Sequence, residues 1–180
     1  MSKDAKLVPY KGLYEWMQSI VIVFLFALGV LTFVGQTIGV LGPSMEPTLV
    51  ENDRMIVRSI FYTPDRGDLV VFSRHDFQDG AALVKRVIAL AGDVVDIDTS
   101  AGFVYVNGSR LHEPYTMELT HRPMTASFPF VVPVGHVFVL GDNRQNSKDS
   151  RDLVLGAVDE REIIGQVVAV VLPFNRAQWF

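Results

Sequence analysis

The hydrophobic pattern divides the chain into two stretches. Ile20–Leu31 (IVIVFLFALGVL) contains no polar or charged residue, and no charge occurs from Trp16 to Leu41. A helix crosses the hydrocarbon core of a bilayer with about 20 residues, so the run is long enough. Its apolar residues fall on every side rather than on one helical face, which disfavours a buried core helix. Thr32, Gly35, Gln36, Thr37 and Gly39 dilute its end. The span is therefore expected near Trp16–Val34, within an anchor segment at 16–36 that follows a short N-terminal segment at 1–15. A cleavable signal peptide is the competing reading. No small-x-small cleavage site follows the apolar core, where Thr32, Phe33, Val34 and Gly35 stand.

From about Val40 onward, short apolar runs alternate with turn signals. Arg54–Arg58, Leu69–Ser73, Leu83–Leu90, Val94–Ile97, Phe103–Val106, His136–Leu140 and Val167–Leu172 read as strands, rich in Val, Ile and Phe. Thr63-Pro64-Asp65-Arg66-Gly67, Ala91-Gly92-Asp93, Asn107-Gly108-Ser109 and Gly141-Asp142-Asn143 supply turns between them. Asn107-Gly108, set between alternating residues, is a hairpin signal. Only Asp159–Ile164 reads as a short helix. The pattern predicts a mainly β fold: an antiparallel sheet or barrel-like domain at 37–180, behind one N-terminal transmembrane helix. The stretch Glu113–Pro133, of mixed polarity and interrupted by prolines, reads as a loop or small subdomain. It lies within an insertion at about 94–136.

Composition adds bounds. The chain has 180 residues, enough for one domain and an appendage, and 49% are hydrophobic. That share suits a domain carrying one membrane segment. The net charge of −4 gives no basic face for nucleic acid. The chain contains no cysteine, which excludes disulfides and a thiolate nucleophile. Lys3, Lys6 and Lys11 stand against Asp4 and Glu15 before the span. By the positive-inside tendency the N-terminus stays in the cytoplasm and the rest is exported.

Three segments could carry chemistry. In Gly42-Pro43-Ser44-Met45-Glu46-Pro47-Thr48-Leu49 a serine lies between two prolines that restrict the backbone. Such a turn can expose a hydroxyl and aim N–H groups at an oxyanion; read alone, it is more simply a Pro/Ser connection. A serine nucleophile needs a base. His75, His112, His121 and His136 have no evident triad context. Lys85 lies among apolar residues in Leu83-Val84-Lys85-Arg86-Val87-Ile88, and on a strand Lys85 and Arg86 point to opposite faces. One of the two can reach solvent while the other enters an apolar site. A free lysine is neutral in only about one molecule in a few thousand at pH 7. Burial lowers a lysine pKa by as much as ~3–5 units, which would make it a competent base. Read alone, Lys85 is more simply a lysine with its ammonium in water. The third segment, 141–151, is dense in polar residues and includes Ser147, with Asp149 and Arg151 as a natural ion pair. No metal motif is present, and no glycine-rich phosphate loop follows a strand.

Taken together, these segments resemble the bacterial type I signal peptidases, in the family's order and from the anchor to near the C-terminus. Ser44-Met45-Glu46-Pro47-Thr48-Leu49 looks like the family's nucleophile box, and Arg66-Gly67-Asp68-Leu69-Val70-Val71-Phe72 like its strand box. Lys85-Arg86-Val87-Ile88 with Gly92-Asp93 looks like its lysine box. Gly141-Asp142-Asn143-Arg144 through Ser147, Asp149, Ser150 and Arg151 looks like its last box. The resemblance implies a serine endopeptidase at the outer face of the cytoplasmic membrane, with Ser44 as acylated nucleophile and Lys85 as general base. It implies that Ser147 orients the lysine and that Asp149 and Arg151 hold the loop. Met45, Leu49 and Val84, with Ile38 and Val40, would line shallow pockets for small residues of Ala-x-Ala type. The implied partners are preprotein signal peptides, the lipid bilayer and the translocation machinery, with no cofactor. Gly42 stands where some members carry a second oxyanion donor, and Ala89 and Ala91 replace common Gly and Pro. Two rivals remain at this point. The self-cleaving repressors share Ser/Lys chemistry but are soluble, and an anchored β-domain without activity would not need both Ser44 and Lys85.

Overall fold

The computed structural model describes residues 11–33, 36–77, 80–122 and 125–180. Lys3 and Lys6, and Val34 at the end of the expected span, lie outside them. Contacts divide the chain into two compact units at the Gln36/Thr37 junction.

In the first unit, helix α1 covers Lys11–Phe33, 23 residues, or about 34 Å at 1.5 Å per residue. Its described side chains from 12 to 28 are all exposed. By length and composition it is able to cross a membrane.

The second unit is built from two antiparallel sheets. Its strands are β1 (Gln36–Gly39), β2 (Arg54–Arg58), β3 (Leu69–Ser73), β4 (Ala82–Ala89), β5 (Val94–Asp98) and β6 (Phe103–Val106). They continue with β7 (Ser109–Arg110), β8 (Phe130–Val131), β9 (His136–Leu140), β10 (Val158–Asp159), β11 (Ile163–Leu172) and β12 (Gln178–Trp179). The main sheet runs β1-β2-β11-β3-β4-β9-β10, with β12 also paired to β11; the smaller sheet runs β7-β6-β5-β8. The smaller sheet is inserted between β4 and β9, which pair directly with each other.

The strands form where β-branched and aromatic residues recur, and their sides sort into separate cores. On β3, Leu69 and Val71 join a cluster with Met45, Leu49, Met55 and Val57. Val70 and Phe72 join Val87, Val137 and Val139 on the other face. On β9, Phe138 and Leu140 pack instead against Val95, Ile97, Val104 and Val106 of the small sheet. Because both faces of β3 and β9 are covered, their sequences are continuous apolar runs rather than alternations.

Asn107 and Gly108 form the two-residue turn of the β6–β7 hairpin, with Val106 paired to Ser109. Both have positive φ, 52° and 76°, the backbone that a two-residue I′ turn requires. The helix expected at Asp159–Ile164 is not formed. Glu160–Glu162 make one 3-10 turn, capped by the Asp159 carboxylate on the Arg161 N–H. Ile163 already belongs to β11, where β-branched residues take over and pair with β2 and β3. At Gly165 a Cβ would collide with the Arg58 carbonyl group and come within 2.9 Å of Val57 Cγ1, so only glycine allows the close approach of β2 and β11 there.

Candidate active site

The serine sits in the turn that joins β1 to β2. Gly42 enters it with φ +79°. Inside the turn, Glu46 N–H donates to the Pro43 carbonyl and Leu49 N–H to the Met45 carbonyl. Met45 and Leu49 are almost fully buried and fasten the turn to the core, leaving Ser44 half-buried at its edge. Asn143 ties the turn to the polar loop: its N–H donates to the Ser44 carbonyl at 3.1 Å, and its side-chain amide to the Pro43 carbonyl at 3.2 Å.

Lys85 lies in β4, between β3 and β9, and is only 2% exposed. Its Nζ donates to Ser44 Oγ at 2.7 Å and to the Val84 carbonyl at 2.9 Å. Burial pushes its pKa down from 10.5 to about 8. The Asp149 and Asp142 carboxylates pull the other way, and the Arg151 guanidinium acts with the burial. With that value about one lysine in ten is neutral at pH 7, against roughly one in three thousand for a free side chain. A primary amine poised near neutrality, within hydrogen-bond reach of a hydroxyl, can take that hydroxyl's proton.

Arg86 does not reach solvent, contrary to the picture of a strand with one wet and one dry cation. It crosses to the opposite face of β4, where its Nε and Nη2 grip the Asp142 carboxylate at 2.9 and 2.6 Å. Its guanidinium lies 4.0 Å from the Tyr115 ring centroid. Thr48 Oγ1 donates to the same carboxylate at 2.5 Å. One buried carboxylate therefore joins the serine turn, the lysine strand and the polar loop. Sequence reasoning set Arg86 on the face opposite Lys85 and Asp142 in the polar loop, but did not pair them. The only local signal was a charge bordering an apolar strand, and the partner lies 56 residues away.

In the loop, Arg151 binds Asp149 through Nε at 2.7 Å and Nη2 at 2.8 Å, with both groups buried. Asp149 also accepts from the Gly141 N–H at 3.0 Å. Arg144, equally buried, donates to the Gly141 carbonyl and to Thr120 Oγ1 and pairs with Glu113, so the inserted region braces the same loop. Ser147 is 5% exposed, and among the described residues its hydroxyl makes no hydrogen bond; Arg151 Nη1 is likewise without a partner among them. The Ser147–lysine hydrogen bond implied by the resemblance is thus not made in this structure. Gly141 is the pivot, because a Cβ there would meet Ser147 Cβ and the Ser44 carbonyl at 2.5 Å each.

A cleft of about 280 Å³ opens at the pair, lined by Ser44, Lys85, Ser147, Leu41, Leu83 and Arg122, among others. Leu41 and Leu83 were not singled out from the sequence. The residues expected to line substrate pockets lie elsewhere in register: Val40, Met45 and Leu49 belong to the buried core, and Ile38 and Val84 pack partly buried against it. Their regular apolar spacing signals packing as readily as a pocket.

Comparison with known proteins places the chain in one family. A family profile described as "Signal peptidase, peptidase S26" matches residues 13–172. Signal peptidase I of Bacillus licheniformis is 34% identical over 97% of this chain and 97% of its own length. Signal peptidase I S of Bacillus subtilis is 36% identical over 96% of each chain. A solved signal peptidase I from Enterococcus faecalis superimposes with a TM-score of 0.49 at 30% identity, over 59% of this chain and 98% of that one. With the profile matched along most of its length and relatives more than a third identical from end to end, the chain belongs to the signal peptidase family, peptidase S26.

Proposed function

We propose that this chain is a membrane-anchored serine endopeptidase that removes signal peptides from exported preproteins, with Ser44 as nucleophile and Lys85 as general base. The observation that carries the reading is the 2.7 Å contact between Lys85 Nζ and Ser44 Oγ, made by a lysine that burial brings toward neutrality. Neutral Lys85 takes the Ser44 proton as Oγ bonds to the carbonyl carbon of the scissile peptide. The Ser44 N–H donates to no protein acceptor among the described residues, so it is free to bind the oxyanion. Collapse breaks the C–N bond, and the Lys85 ammonium gives its proton to the departing amine. Lys85 then takes a proton from water as the water oxygen attacks the acyl carbonyl; collapse breaks the bond to Ser44 Oγ, the Lys85 ammonium returns its proton to that oxygen, and the signal peptide leaves as an acid. The sequence balances with water as the only co-reactant.

An ammonium has three N–H donors. Two are used on Ser44 and Val84, and the buried Ser147 hydroxyl, lining the same cleft, is an available acceptor for the third. Ser147 is therefore a positioning residue for Lys85. Asp149 and Arg151 hold the loop that carries it. Small residues preceding the scissile bond, of Ala-x-Ala type, seat against Leu41 and Leu83, while Val84, Ile38, Val40, Met45 and Leu49 pack together in the core that holds the serine turn.

Helix α1 anchors the enzyme with its N-terminus in the cytoplasm and residues 37–180 on the outer side, where preproteins emerge from the translocation machinery. Confining enzyme and substrate to one plane raises their effective concentration. The test is processing of a purified preprotein in detergent or vesicles. Ser44→Ala, Lys85→Ala and Lys85→Arg are each expected to be inactive, the last because arginine stays charged, and an acylating probe is expected to label Ser44. Normal processing by any of the three would sink the mechanism.

A further inference from the structure

The active-site cleft carries an unusual charge for its chain. The protein has a net charge of −4, yet among the described residues the cleft is lined by Lys85, Arg122 and Lys148 and by no carboxylate. The acidic side chains close by in sequence are already engaged. Asp149 is gripped by Arg151, Asp142 by Arg86, and Asp152 Oδ1 accepts from Thr125 Oγ1 and the Val154 N–H. Arg122 is exposed and spends only Nη1, on the Gln145 and Ser147 carbonyls at 3.3 Å each. Lys148 is exposed and makes no hydrogen bond or ion pair among the described residues. Arg122 and Lys148, neither in an ion pair among the described residues, therefore line the same 280 Å³ space as the nucleophile.

The cleft lining is of two chemical kinds: Leu41 and Leu83 are apolar, while Arg122, Asn146 and Lys148 are polar or cationic. On the function proposed above, the small residues before the scissile bond take the apolar side chains, which leaves the cationic ones to the residues after it. We infer that Arg122 and Lys148 form a subsite for the first residues of the released mature chain, one that accepts acidic side chains and disfavours basic ones. The selectivity works by repulsion as well as attraction, since a lysine brought there meets two like charges, set against the Asp152 carboxylate that borders both in the adjoining pocket.

The experiment uses the full chain in detergent and three peptides that differ only in the two residues after the cleavage site: Glu-Glu, Gln-Gln and Lys-Lys. An exposed ion pair is worth about two- to five-fold in equilibrium. The expected kcat/KM order is Glu over Gln over Lys, spanning on the order of ten-fold at low salt. It should shrink toward unity near 1 M NaCl, where the screening length is about 3 Å. Lys148→Glu touches no hydrogen bond of the fold and should reduce the ratio. The Arg122→Gln/Lys148→Glu double variant should abolish or reverse it. Equal rates for the three peptides in the wild type, or a preference unchanged in the double variant, would overturn the subsite. If the Gln-Gln peptide were not cleaved at all, the proposed protease activity would fall instead. The charge preference would then be read from the peptide Kd values for Ser44→Ala, where equal affinities overturn it.

Discussion

Replacing Lys85 by methionine should inactivate the enzyme and make it more stable at neutral pH. The side chain is only 2% exposed, and burial lowers its pKa from 10.5 to about 8. At about 1.4 kcal/mol per pH unit, that difference places the cost of holding the ammonium in the fold at ~3 kcal/mol. The sign follows from proton linkage. The folded pKa lies below the unfolded one, so between pH 8 and 10.5 the unfolded chain binds more protons and stability rises with pH. Below pH 8 both states are protonated and the full cost is present. Methionine has a similar length and no charge. It gives up hydrogen bonds to Ser44 Oγ and the Val84 carbonyl, of which the carbonyl's loss costs about 1 kcal/mol. The net expectation is a gain of ~2 kcal/mol near pH 7 that disappears by about pH 10.5. Urea unfolding of the wild type and Lys85→Met, followed by circular dichroism at a series of pH values, reads this directly. A variant no more stable at pH 7, or a difference that does not change across pH 8–10.5, would refute the assignment of Lys85 as a destabilised, desolvated amine.

Other outcomes follow from the same geometry. The kcat/KM of the wild type should rise with pH through about 8 and level above it, as Lys85 becomes neutral; a profile flat from pH 6 to 9 would contradict its role as base. Asp142→Ala leaves the Arg86 guanidinium buried without its partner, and thermal melts should show a loss of about 3–5 kcal/mol. Arg86→Met/Asp142→Leu should lose less than that single variant, and an equal or larger loss would argue against the uncompensated charge as the cause. Gly141→Ala would force a Cβ onto Ser147 and the Ser44 carbonyl; we expect at least a hundred-fold loss of kcat with the circular dichroism spectrum retained, and activity near wild type would show that the pivot tolerates movement.

The strands were legible because β-branched residues recur between turn residues. Arg54–Arg58, Leu69–Ser73, Phe103–Val106 and His136–Leu140 match the expected limits. The second arm of the Asn107-Gly108 hairpin, β7, was legible from its turn, whereas the short strands β8, β10 and β12 were not, since two residues carry no period. Asp159–Ile164 misled because Glu-Arg-Glu has good helix propensity, whereas tertiary pairing of Ile163 with β3 decides its state. Ser44 and Lys85 each read as ordinary when taken alone, and only the conjunction with the anchor and the polar loop singled them out. The Arg86–Asp142–Thr48 junction was invisible because its members meet only in three dimensions. Leu41 and Leu83 escaped notice for the same reason: a strand sequence does not say which apolar side chain borders a cleft and which fills a core.

The position of β11 has a consequence for how the molecule comes into being. This strand, Ile163–Leu172, belongs to the last stretch of the chain, yet it lies between β2 and β3 in the sheet. The serine turn leads into β2 on one side of it, and the lysine belongs to the β3–β4 side. The two reacting groups are therefore brought into register by a segment synthesised more than seventy residues after Lys85. Until that segment is in place, the sheet has a gap between β2 and β3, and non-local pairing of this kind is slow to form. A nascent chain emerging N-terminus first thus carries both halves of a peptide-cleaving site without the strut that unites them. On this topology Ser44 and Lys85 are expected to come into register only as β11 docks between β2 and β3.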